Sequence, residues 1–303
     1  MKVLVLGGCG FIGSHAVDAL LARNHEVKIL DRGLERFRAP LPQVTYFQGN
    51  FSDRMLLAEA LADVEAVLHM VSTTFPGTAN LDPRADVQDN LIGTLSLMDT
   101  MRSMGIMRLV YMSSGGTVYG QPEIEPIPEH HPLRPINSYG IVKVAIENYL
   151  WMYQHNFNFA PVAIRAANPF GPRQGHVGVQ GVVSTFLRKA LLKQPIEIWG
   201  DGEAVRDYLD VRDLADMCAS VVDADFVGPV NAGSGVGRSL NELVTAISSI
   251  TGQDLQPLYK PSRQVDISRS VLDVSLARER LNWSAKVDFP LALQEAWDWM
   301  KAH

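Results

Sequence analysis

The sequence predicts an α/β fold: a doubly wound parallel sheet with helices on both faces, and a smaller C-terminal α/β part. Short apolar segments alternate with segments of helical periodicity through the first half of the chain. Continuously apolar strands are typical of parallel sheets that helices cover on both faces. The 303 residues, 47% of them hydrophobic, suffice to bury a large core. We expect a sheet domain over residues 1–168 and a second part over 169–303, with some later segments returning to the sheet.

The elements follow from the periodicity of the apolar residues. Strands are predicted at 3–6, 26–30, 44–47, 66–70, 109–112, 162–164 and 196–199. Helices are predicted at 14–23, 56–61, 89–104, 139–155, 186–193, 213–222, 240–251 and 275–281. Gly and Pro are frequent in 169–181, where the alternation weakens. We expect the second part to pack over the carboxyl edge of the sheet, where a ligand cleft forms by default.

Composition argues against several classes of protein. The net charge of −6 is unlike that of a nucleic-acid-binding domain. The two cysteines, Cys9 and Cys218, lie far apart without Cys or His partners nearby, so neither a disulfide nor a metal site is expected. No run reaches the roughly 18 apolar residues of a membrane span. A strand begins at residue 2, so we expect no signal peptide and a cytoplasmic protein.

A glycine-rich turn joins the first predicted strand to the first predicted helix. Its spacing is G-x-x-G-x-x-G, at Gly7, Gly10 and Gly13. These glycines allow a tight turn, close approach to a pyrophosphate and close helix–strand packing, while the helix N-terminus attracts phosphates. The second strand ends in Asp31, whose carboxylate can bind a ribose 2′-hydroxyl and repel a 2′-phosphate. The first part is therefore predicted to be a Rossmann-type domain that binds NAD; Arg32 leaves NADP open.

Tyr139 and Lys143 are four residues apart on the helix predicted at 139–155. Positions i and i+4 lie on one face of a helix, about one turn apart. An ammonium group beside a phenol favours the phenolate, which makes Tyr a usable base near neutral pH. The spacing alone is a weak signal, and the dinucleotide turn upstream gives it weight. The pair is predicted to be catalytic.

Together these motifs resemble the extended short-chain dehydrogenase/reductase family, and most closely its NAD-dependent nucleotide-sugar epimerases of the UDP-glucose 4-epimerase type. The resemblance covers nearly the whole chain. It implies epimerisation at C4 of UDP-glucose, UDP-galactose or a UDP-N-acetylhexosamine through a 4-keto intermediate. Tyr139 would be the base, and a tightly held NAD would carry the hydride away and return it.

The resemblance also implies contacts with the cofactor, residue by residue. Beyond the glycines, Asp31 and Arg32, they are Phe11, Ile12, Asn50, Phe51, Met70, Val71, Asn90, Ser113, Tyr139 and Lys143. Asn50 stands where the family usually has an Asp that contacts the adenine. Asn90 is similar to the family's Asn that braces the site.

The substrate contacts that the resemblance implies lie mostly in the second part. They are Asn168, Trp199, Arg206, Tyr208, Arg263, Asp266 and Ser270. Two arginines on one diphosphate make physical sense, because guanidinium groups match phosphate oxygens. Asp266 would bind the nucleoside ribose and Trp199 would lie near the base. Ser270 stands where related epimerases restricted to plain hexoses often carry Tyr, which predicts room for a 2-acetamido group.

One position departs from the family pattern. The family normally has Ser or Thr two residues before the position of Thr117, hydrogen-bonded to the reacting hydroxyl, and this chain has Gly115. Thr117 or Ser114 could supply the missing hydroxyl, and we expect Thr117 because it remains in the same loop. The alternatives are impaired catalysis or a different reaction. The Thr-Asp-Glu arrangement of the sugar 4,6-dehydratases is also absent, which argues against a dehydratase.

The helices at 89–104 and 139–155 carry apolar residues beyond one face. A helix that is apolar all round is buried, so each needs a second cover besides the sheet. The C-terminal part could supply it, as could the same two helices of a second copy. We predict a homodimer through a four-helix bundle.

Three other functions stay open. A related enzyme on another nucleotide sugar, such as a reductase, uronate epimerase or decarboxylase, would share most site residues. A non-catalytic NAD-binding protein would explain Gly115 but not the presence of both Tyr139 and Lys143. A plain alcohol dehydrogenase would have no use for the diphosphate contacts of Arg206 and Arg263.

Overall fold

The computed structural model describes residues 1–174, 181–262 and 267–303. Its strands are β1 Lys2–Leu6, β2 Glu26–Asp31, β3 Val44–Gln48, β4 Ala66–His69, β5 Arg108–Ser114, β6 Ala160–Ala166, β7 Asn168–Phe170, β8 Glu197–Trp199, β9 Val205–Asp210, β10 Gly228–Ala232, β11 Gly237–Ser239, β12 Leu258–Lys260 and β13 Arg269–Ser270. Its helices are α1 Phe11–Ala22, α2 Arg54–Leu61, α3 Pro83–Asp86, α4 Gly93–Ser103, α5 Ser138–Phe157, α6 Val182–Leu191, α7 Val211–Asp223, α8 Leu240–Thr251, α9 Ser275–Leu281 and α10 Phe289–Ala302. A 3₁₀ turn covers Ala79–Leu81, and a π-helical stretch, Val87–Ile92, joins α3 to α4.

Within the described residues the large sheet has seven strands in the order β3-β2-β1-β4-β5-β6-β10. Every neighbouring pair in it is parallel. The order reverses between β1 and β4, and ligands bind outside the carboxyl ends of the strands at such a reversal. The predicted Rossmann-type, doubly wound sheet is confirmed.

Alternation along β1 shows how both faces of this sheet are covered. Val3 and Val5 pack into a core with helices α1 and α7, whereas Leu4 and Leu6 pack into the opposite core with α4 and α5. Successive side chains of a strand point to opposite faces, so a strand between two helical layers must be apolar throughout. The continuous apolar runs in the sequence have this cause.

The smaller part has its own core and sheet. Strand β9 pairs with β7, β11 and β13, and the core beneath includes residues from α6, α8 and α10. The chain nevertheless returns to the large sheet through β10, which pairs with β6, while α7 packs against α1. Segments of the two parts therefore alternate along the chain after residue 168. The boundary between the two domains at this residue stays a prediction.

Two helical regions differ from the sequence expectation. The helix predicted at 89–104 begins earlier, at Pro83, because the Asp82 carboxylate accepts the backbone N–H of Arg84 and Pro83 suits the first helical turn. It then passes through the π-helical stretch before continuing as α4. Helix α10 is an element that the periodicity analysis does not predict.

The cysteines behave as packing residues. Cys9 and Cys218 are both free and buried, and burial raises the pKa of the Cys9 thiol to about 12. Among the helices of the described ranges, none has the length and apolar character needed to cross a bilayer.

Candidate active site

Two cavities lie where the smaller part covers the carboxyl edge of the large sheet. The first has a volume of about 360 Å³ and is lined by Phe11, Phe75, Thr117, Tyr139 and Tyr208, among others. The second has a volume of about 400 Å³ and is lined by Phe186, Trp199 and Arg206, among others. Asn168, Gly181 and Val182 line both. Because they share these walls, the two cavities are adjacent, and we refer to them together as the cleft.

The glycine turn has the geometry that a pyrophosphate site needs. Gly7 has φ +82°, a conformation that favours glycine. A Cβ atom on Gly13 would lie 2.1 Å from the carbonyl oxygen of Gly7, so no side chain fits there. Helix α1 begins after Gly10 without a side-chain cap, which leaves its first N–H groups free for an anion. Phe11 and Ile12 of this first turn line the first cavity, and the turn therefore fits NAD.

Asp31 is anchored to this turn. Its Oδ2 atom accepts a hydrogen bond from the backbone N–H of Cys9 at 3.0 Å, and Oδ1 accepts one from Gly33 at 2.9 Å. The carboxylate thus stands at the carboxyl end of β2, beside the glycines. Arg32 is exposed at the same edge. A hydroxylated ribose fits this carboxylate better than a 2′-phosphate, because like charges repel.

The other predicted cofactor residues lie around the same edge of the sheet. Met70 and Val71 follow β4, and a Cβ atom on Gly7 would approach Val71 Cγ2 to 3.2 Å. Phe51 is buried, with its ring centroid 5.4 Å from that of His69. Asn50 is exposed, and its Oδ1 accepts the backbone N–H of the turn residue at position 52. Their contacts with a cofactor stay predictions.

Helix α5 brings Tyr139 and Lys143 together. Its N-cap Asn137 accepts the backbone N–H of Gly140 at 2.8 Å, which fixes the start of the helix beside the cavity. The Lys143 Nζ atom lies 5.3 Å from the ring centroid of Tyr139 and donates to the Met112 carbonyl at 2.7 Å. The expected placement of a cation beside the phenol is therefore present.

The protonation of this pair differs from the simple expectation. Burial lowers the pKa of Lys143 to about 8. Burial, with a smaller contribution from the negative charge of Asp86, raises the pKa of Tyr139 to about 12. The pKa of Tyr139 is therefore not brought near neutral pH in the protein alone, because burial and the charge of Asp86 both raise it. For Tyr139 to act as a base, a further positive charge would have to enter this end of the cleft.

The loop after β5 shows why position 115 carries no hydroxyl. A Cβ atom on Gly115 would lie 2.6 Å from Leu272 Cδ1 and 3.0 Å from the Arg165 carbonyl oxygen. A side chain there would meet packed atoms. Thr117 does line the cavity with Tyr139, and its hydroxyl oxygen is buried without a hydrogen-bond partner among the described residues. Such a buried hydroxyl is available to a ligand.

Ser113 and Ser114 also line the cavity. The Ser113 hydroxyl donates to the Glu147 carboxylate. Glu147 in turn pairs with Arg165 at 2.6 Å, and both side chains are buried. The sequence analysis missed this ion pair, although Glu147 stands one helical turn after Lys143 on α5.

Asn90 braces the loop between β4 and α3. Its Oδ1 accepts the backbone N–H of Thr73 at 2.9 Å, and its Nδ2 donates to Asp86 Oδ1 at 2.9 Å. The resemblance implied that Asn90 braces the site, and these two hydrogen bonds tie it to the loop at Thr73 and to Asp86. The loop that Asn90 holds continues into Phe75, Pro76 and Gly77, a wall of the first cavity that the sequence analysis did not identify.

The predicted substrate residues fall into two groups. Asn168 donates from Nδ2 to the Asp207 carbonyl at 2.9 Å, and the Tyr208 hydroxyl is buried with no hydrogen-bond partner in the described ranges. Both line the first cavity, while Trp199 and Arg206 line the second. The structure thus spreads these four residues along the cleft.

The remaining predicted substrate residues are not at the described walls. Ser270 is buried on β13 opposite Arg206 of β9, and it is not among the described residues that line the two cavities. Arg263 and Asp266 lie outside the described residues. In the described part of the chain, no group of three or more His, Cys, Asp or Glu residues could hold a metal ion.

The fold and the cleft define a dinucleotide-binding protein whose Tyr139–Lys143 pair lies at the cavity that the first turn of α1 lines. Residues 3–233 match the NAD dependent epimerase/dehydratase family. The chain belongs to this family.

Several relatives match the chain over nearly its whole length. The UDP-glucose 4-epimerase of Mycolicibacterium smegmatis is 36% identical over 95% of this chain and 94% of its own. The solved UDP-glucose 4-epimerase of Thermus thermophilus in complex with NAD has a TM-score of 0.91 and 33% identity, with 99% of each chain covered. The solved UDP-N-acetylglucosamine 4-epimerase of Methanobrevibacter ruminantium has a TM-score of 0.94 and 28% identity, covering 99% of this chain and 98% of that one.

Proposed function

We propose that this chain catalyses the NAD-dependent epimerisation at C4 of a nucleotide-activated hexose through a 4-keto intermediate. The observation that carries the proposal is that the two cavities adjoin at Asn168, Gly181 and Val182. The first is lined by the first turn of α1, Tyr139 and Thr117, and the second by Arg206 and Trp199. A dinucleotide, a hexose and a nucleoside diphosphate would occupy the cleft in that order. The family and its named relatives agree with this reading.

The acid–base chemistry is assigned to Tyr139, which removes the proton of the sugar 4-hydroxyl and later returns one. When bound, NAD supplies the hydride acceptor and, as a cation, the further positive charge that a buried phenolate needs. Lys143 contributes the first positive charge and is itself held by the Met112 carbonyl. Thr117 offers a hydroxyl to the same sugar oxygen, since its own is unpartnered among the described residues.

Epimerisation requires that either face of C4 can meet the nicotinamide. Arg206 and Trp199 are proposed to anchor the diphosphate and the base in the second cavity, with Arg263 and Asp266 as further contacts. The hexose then lies in the first cavity, where Asn168 stands at the junction. An anchor at the nucleotide end leaves the keto sugar free to turn about its diphosphate linkage.

The substrate is proposed to be a UDP-hexose, with a UDP-N-acetylhexosamine also accepted. Named relatives act on both kinds of sugar. Ser270 pairs with Arg206 in the β9–β13 ladder, one strand away from a residue that lines the second cavity.

The chain is proposed to be a cytoplasmic protein. Its two cysteines are unpaired thiols, and unpaired thiols are the usual state in a reducing compartment.

A homodimer is proposed through helices α4 and α5. Much of their apolar surface is buried within the chain, including Leu97, Met98 and Ile146. Ile92 at the end of the π-helical stretch and Ile141 and Tyr149 of α5 nevertheless remain exposed. Exposed apolar side chains of this kind are suited to a symmetric contact.

Replacing Tyr139 with Phe should lower epimerisation by about a thousand-fold or more, because the general base is lost. NAD should remain bound, since the glycine turn is untouched. Product formation from UDP-, dTDP-, GDP- and CDP-sugars, followed by NMR, measures the activity and identifies the nucleotide. A Tyr139→Phe variant that keeps more than a few per cent of wild-type turnover would show that another group is the base.

The two candidate hydroxyls can be separated by matched substitutions. Thr117→Val removes the hydroxyl and keeps the shape, and kcat should fall roughly 10- to 100-fold, the effect of one hydrogen bond to a charged group. Ser114→Ala should change kcat by no more than a few-fold. Circular dichroism and NAD content confirm that both variants are intact. The reverse order of effects would assign the hydroxyl to Ser114.

The size of residue 270 should set the tolerance for 2-acetamido sugars. Ser270→Tyr should abolish turnover of UDP-N-acetylglucosamine while sparing UDP-glucose, because the larger side chain fills space beside the 2-substituent. Ser270→Ala is the matched control and should leave the ratio of the two kcat/KM values unchanged. Equal losses on both substrates in Ser270→Tyr would refute this specificity role.

The dimer interface can be tested with a charge. Ile141→Glu should convert the dimer to a monomer in sedimentation velocity, because an unpaired carboxylate is costly to bury. Leu258→Glu, a change at an equally exposed apolar residue on β12, should leave the dimer intact. A wild-type protein that sediments as a monomer, or an Ile141→Glu protein that remains a dimer, would contradict the proposed interface.

A further inference from the structure

Asp86 is a buried carboxylate to which neither the sequence analysis nor the proposed mechanism gives a role. It is 1% exposed and ends helix α3. Its Oδ1 accepts hydrogen bonds from the Thr74 hydroxyl at 2.8 Å and from Asn90 Nδ2 at 2.9 Å. Its Oδ2 accepts the Ser138 hydroxyl at 2.7 Å. Three separate segments therefore meet at one side chain.

Two of these segments, the start of α5 and the loop at Thr74, lead directly into residues that line the cleft. Ser138 is the first residue of α5 and directly precedes Tyr139. Thr74 directly precedes Phe75, which lines the first cavity. The carboxylate thus joins the helix that carries Tyr139 to a loop that lines the same cavity. Asn80 also holds the start of α5, because its Oδ1 accepts the backbone N–H of Ser138 at 2.8 Å.

The charge of Asp86 is unusual for its position. Its hydrogen-bond donors are neutral, and no Lys, Arg or His of the described ranges lies within salt-bridge distance of it. By contrast, buried Glu147 is paired with Arg165. An unpaired buried carboxylate is costly unless positive potential stabilises it. The N-terminus of α5 supplies such potential, since the helix dipole is positive there.

We propose that Asp86 is a positioning residue for the Tyr139–Lys143 pair. Its hydrogen bonds hold the start of α5 against the loop at residues 73–75, and its carboxylate places a fixed negative charge beside the pair. The charge keeps Lys143 protonated and opposes ionisation of Tyr139 until a cation enters the cleft. Tyr139 is thereby kept neutral in the empty enzyme, and it can ionise once a bound cation offsets the charge of Asp86.

The electrostatic surroundings of Lys143 allow the contribution of Asp86 to be isolated. The titratable groups that face Lys143 are His69 on β4, Tyr111 on β5, Tyr139 and Glu147 on α5, and Asp86 on α3. Glu147 and Asp86 both act to raise the pKa of Lys143 against the larger effect of burial. Glu147 makes the larger of these two contributions and is unchanged in an Asp86 variant, so a change in the pKa of Lys143 there reports the charge of Asp86.

The test is the titration of Lys143, followed by ¹³C NMR of ε-labelled lysine and assigned by the signal lost in Lys143→Arg. In Asp86→Asn the pKa should be lower than in wild type by roughly 0.5 or more, because a nearby anion that favours the ammonium form is gone. Asp89→Asn, which removes an exposed carboxylate three residues away, should leave it unchanged. An Asp86→Asn value equal to that of Asp89→Asn would overturn the proposal.

A second arm uses catalysis and rests on the proposed function. In Asp86→Asn the rise of kcat/KM with pH should move to lower pH, because the pKa of Tyr139 falls when the anion is removed. Ser138→Ala keeps the carboxylate but breaks its hydrogen bond to the start of α5, so kcat should fall while the pKa of Lys143 stays near that of wild type. If Asp86→Asn does not fold, Ser138→Ala and Thr74→Val carry the test, and an unchanged kcat in both would overturn the positioning role.

The two arms separate two kinds of failure. The lysine titration needs neither NAD nor a sugar nucleotide. A protein with no epimerase activity but a shifted Lys143 pKa in Asp86→Asn would refute the proposed function and support the role of Asp86. An active protein whose Lys143 pKa is unchanged in Asp86→Asn would support the proposed function and refute the role of Asp86.

Discussion

The close approach of helix α5 to the end of strand β5 is the constraint on which the rest of the site depends. A Cβ atom on Gly140 would lie 2.8 Å from the Thr117 carbonyl oxygen, so only glycine allows the helix to start where it does. One turn on, Lys143 reaches the Met112 carbonyl of β5. Base, cation and cavity hydroxyl are thereby fixed to one rigid strand–helix unit. Such pre-organisation is what proton transfer between placed groups requires.

Burial makes this unit depend on charges beyond the Tyr–Lys pair. Ions taken out of water are costly, and each must be hydrogen-bonded or paired. Along α5 the structure meets this requirement in two ways, with the Glu147–Arg165 pair behind Lys143 and the helix N-terminus beside Asp86. The result is a neutral phenol in the protein alone, since the pKa of Tyr139 is raised to about 12. In the proposed mechanism, a bound cation then supplies the positive charge that ionisation of Tyr139 requires.

The fold was predictable from the sequence where one cause dominates. Buried parallel strands must be apolar throughout, so β1, β4 and β5 stand out, and glycines and Asp31 mark the cofactor turn. Helix α10 and the π-helical stretch were missed because their form depends on tertiary contacts and on side-chain bonds such as that of Asn90 to Asp86. The roles of Asp86 and Glu147 were missed for the same reason. A carboxylate in a sequence usually indicates surface, and only packing shows that these two are inside.

Position 115 shows how a local departure from a family pattern can be absorbed. Leu272 and the Arg165 carbonyl occupy the space that a side chain there would need, so the glycine is a requirement of packing in this chain. The same loop then presents Thr117, whose buried hydroxyl lacks a partner among the described residues. A buried unpaired hydroxyl costs stability, and proteins retain such groups chiefly where a ligand satisfies them. In the proposed mechanism, Thr117 therefore supplies the hydroxyl that the packing around position 115 excludes.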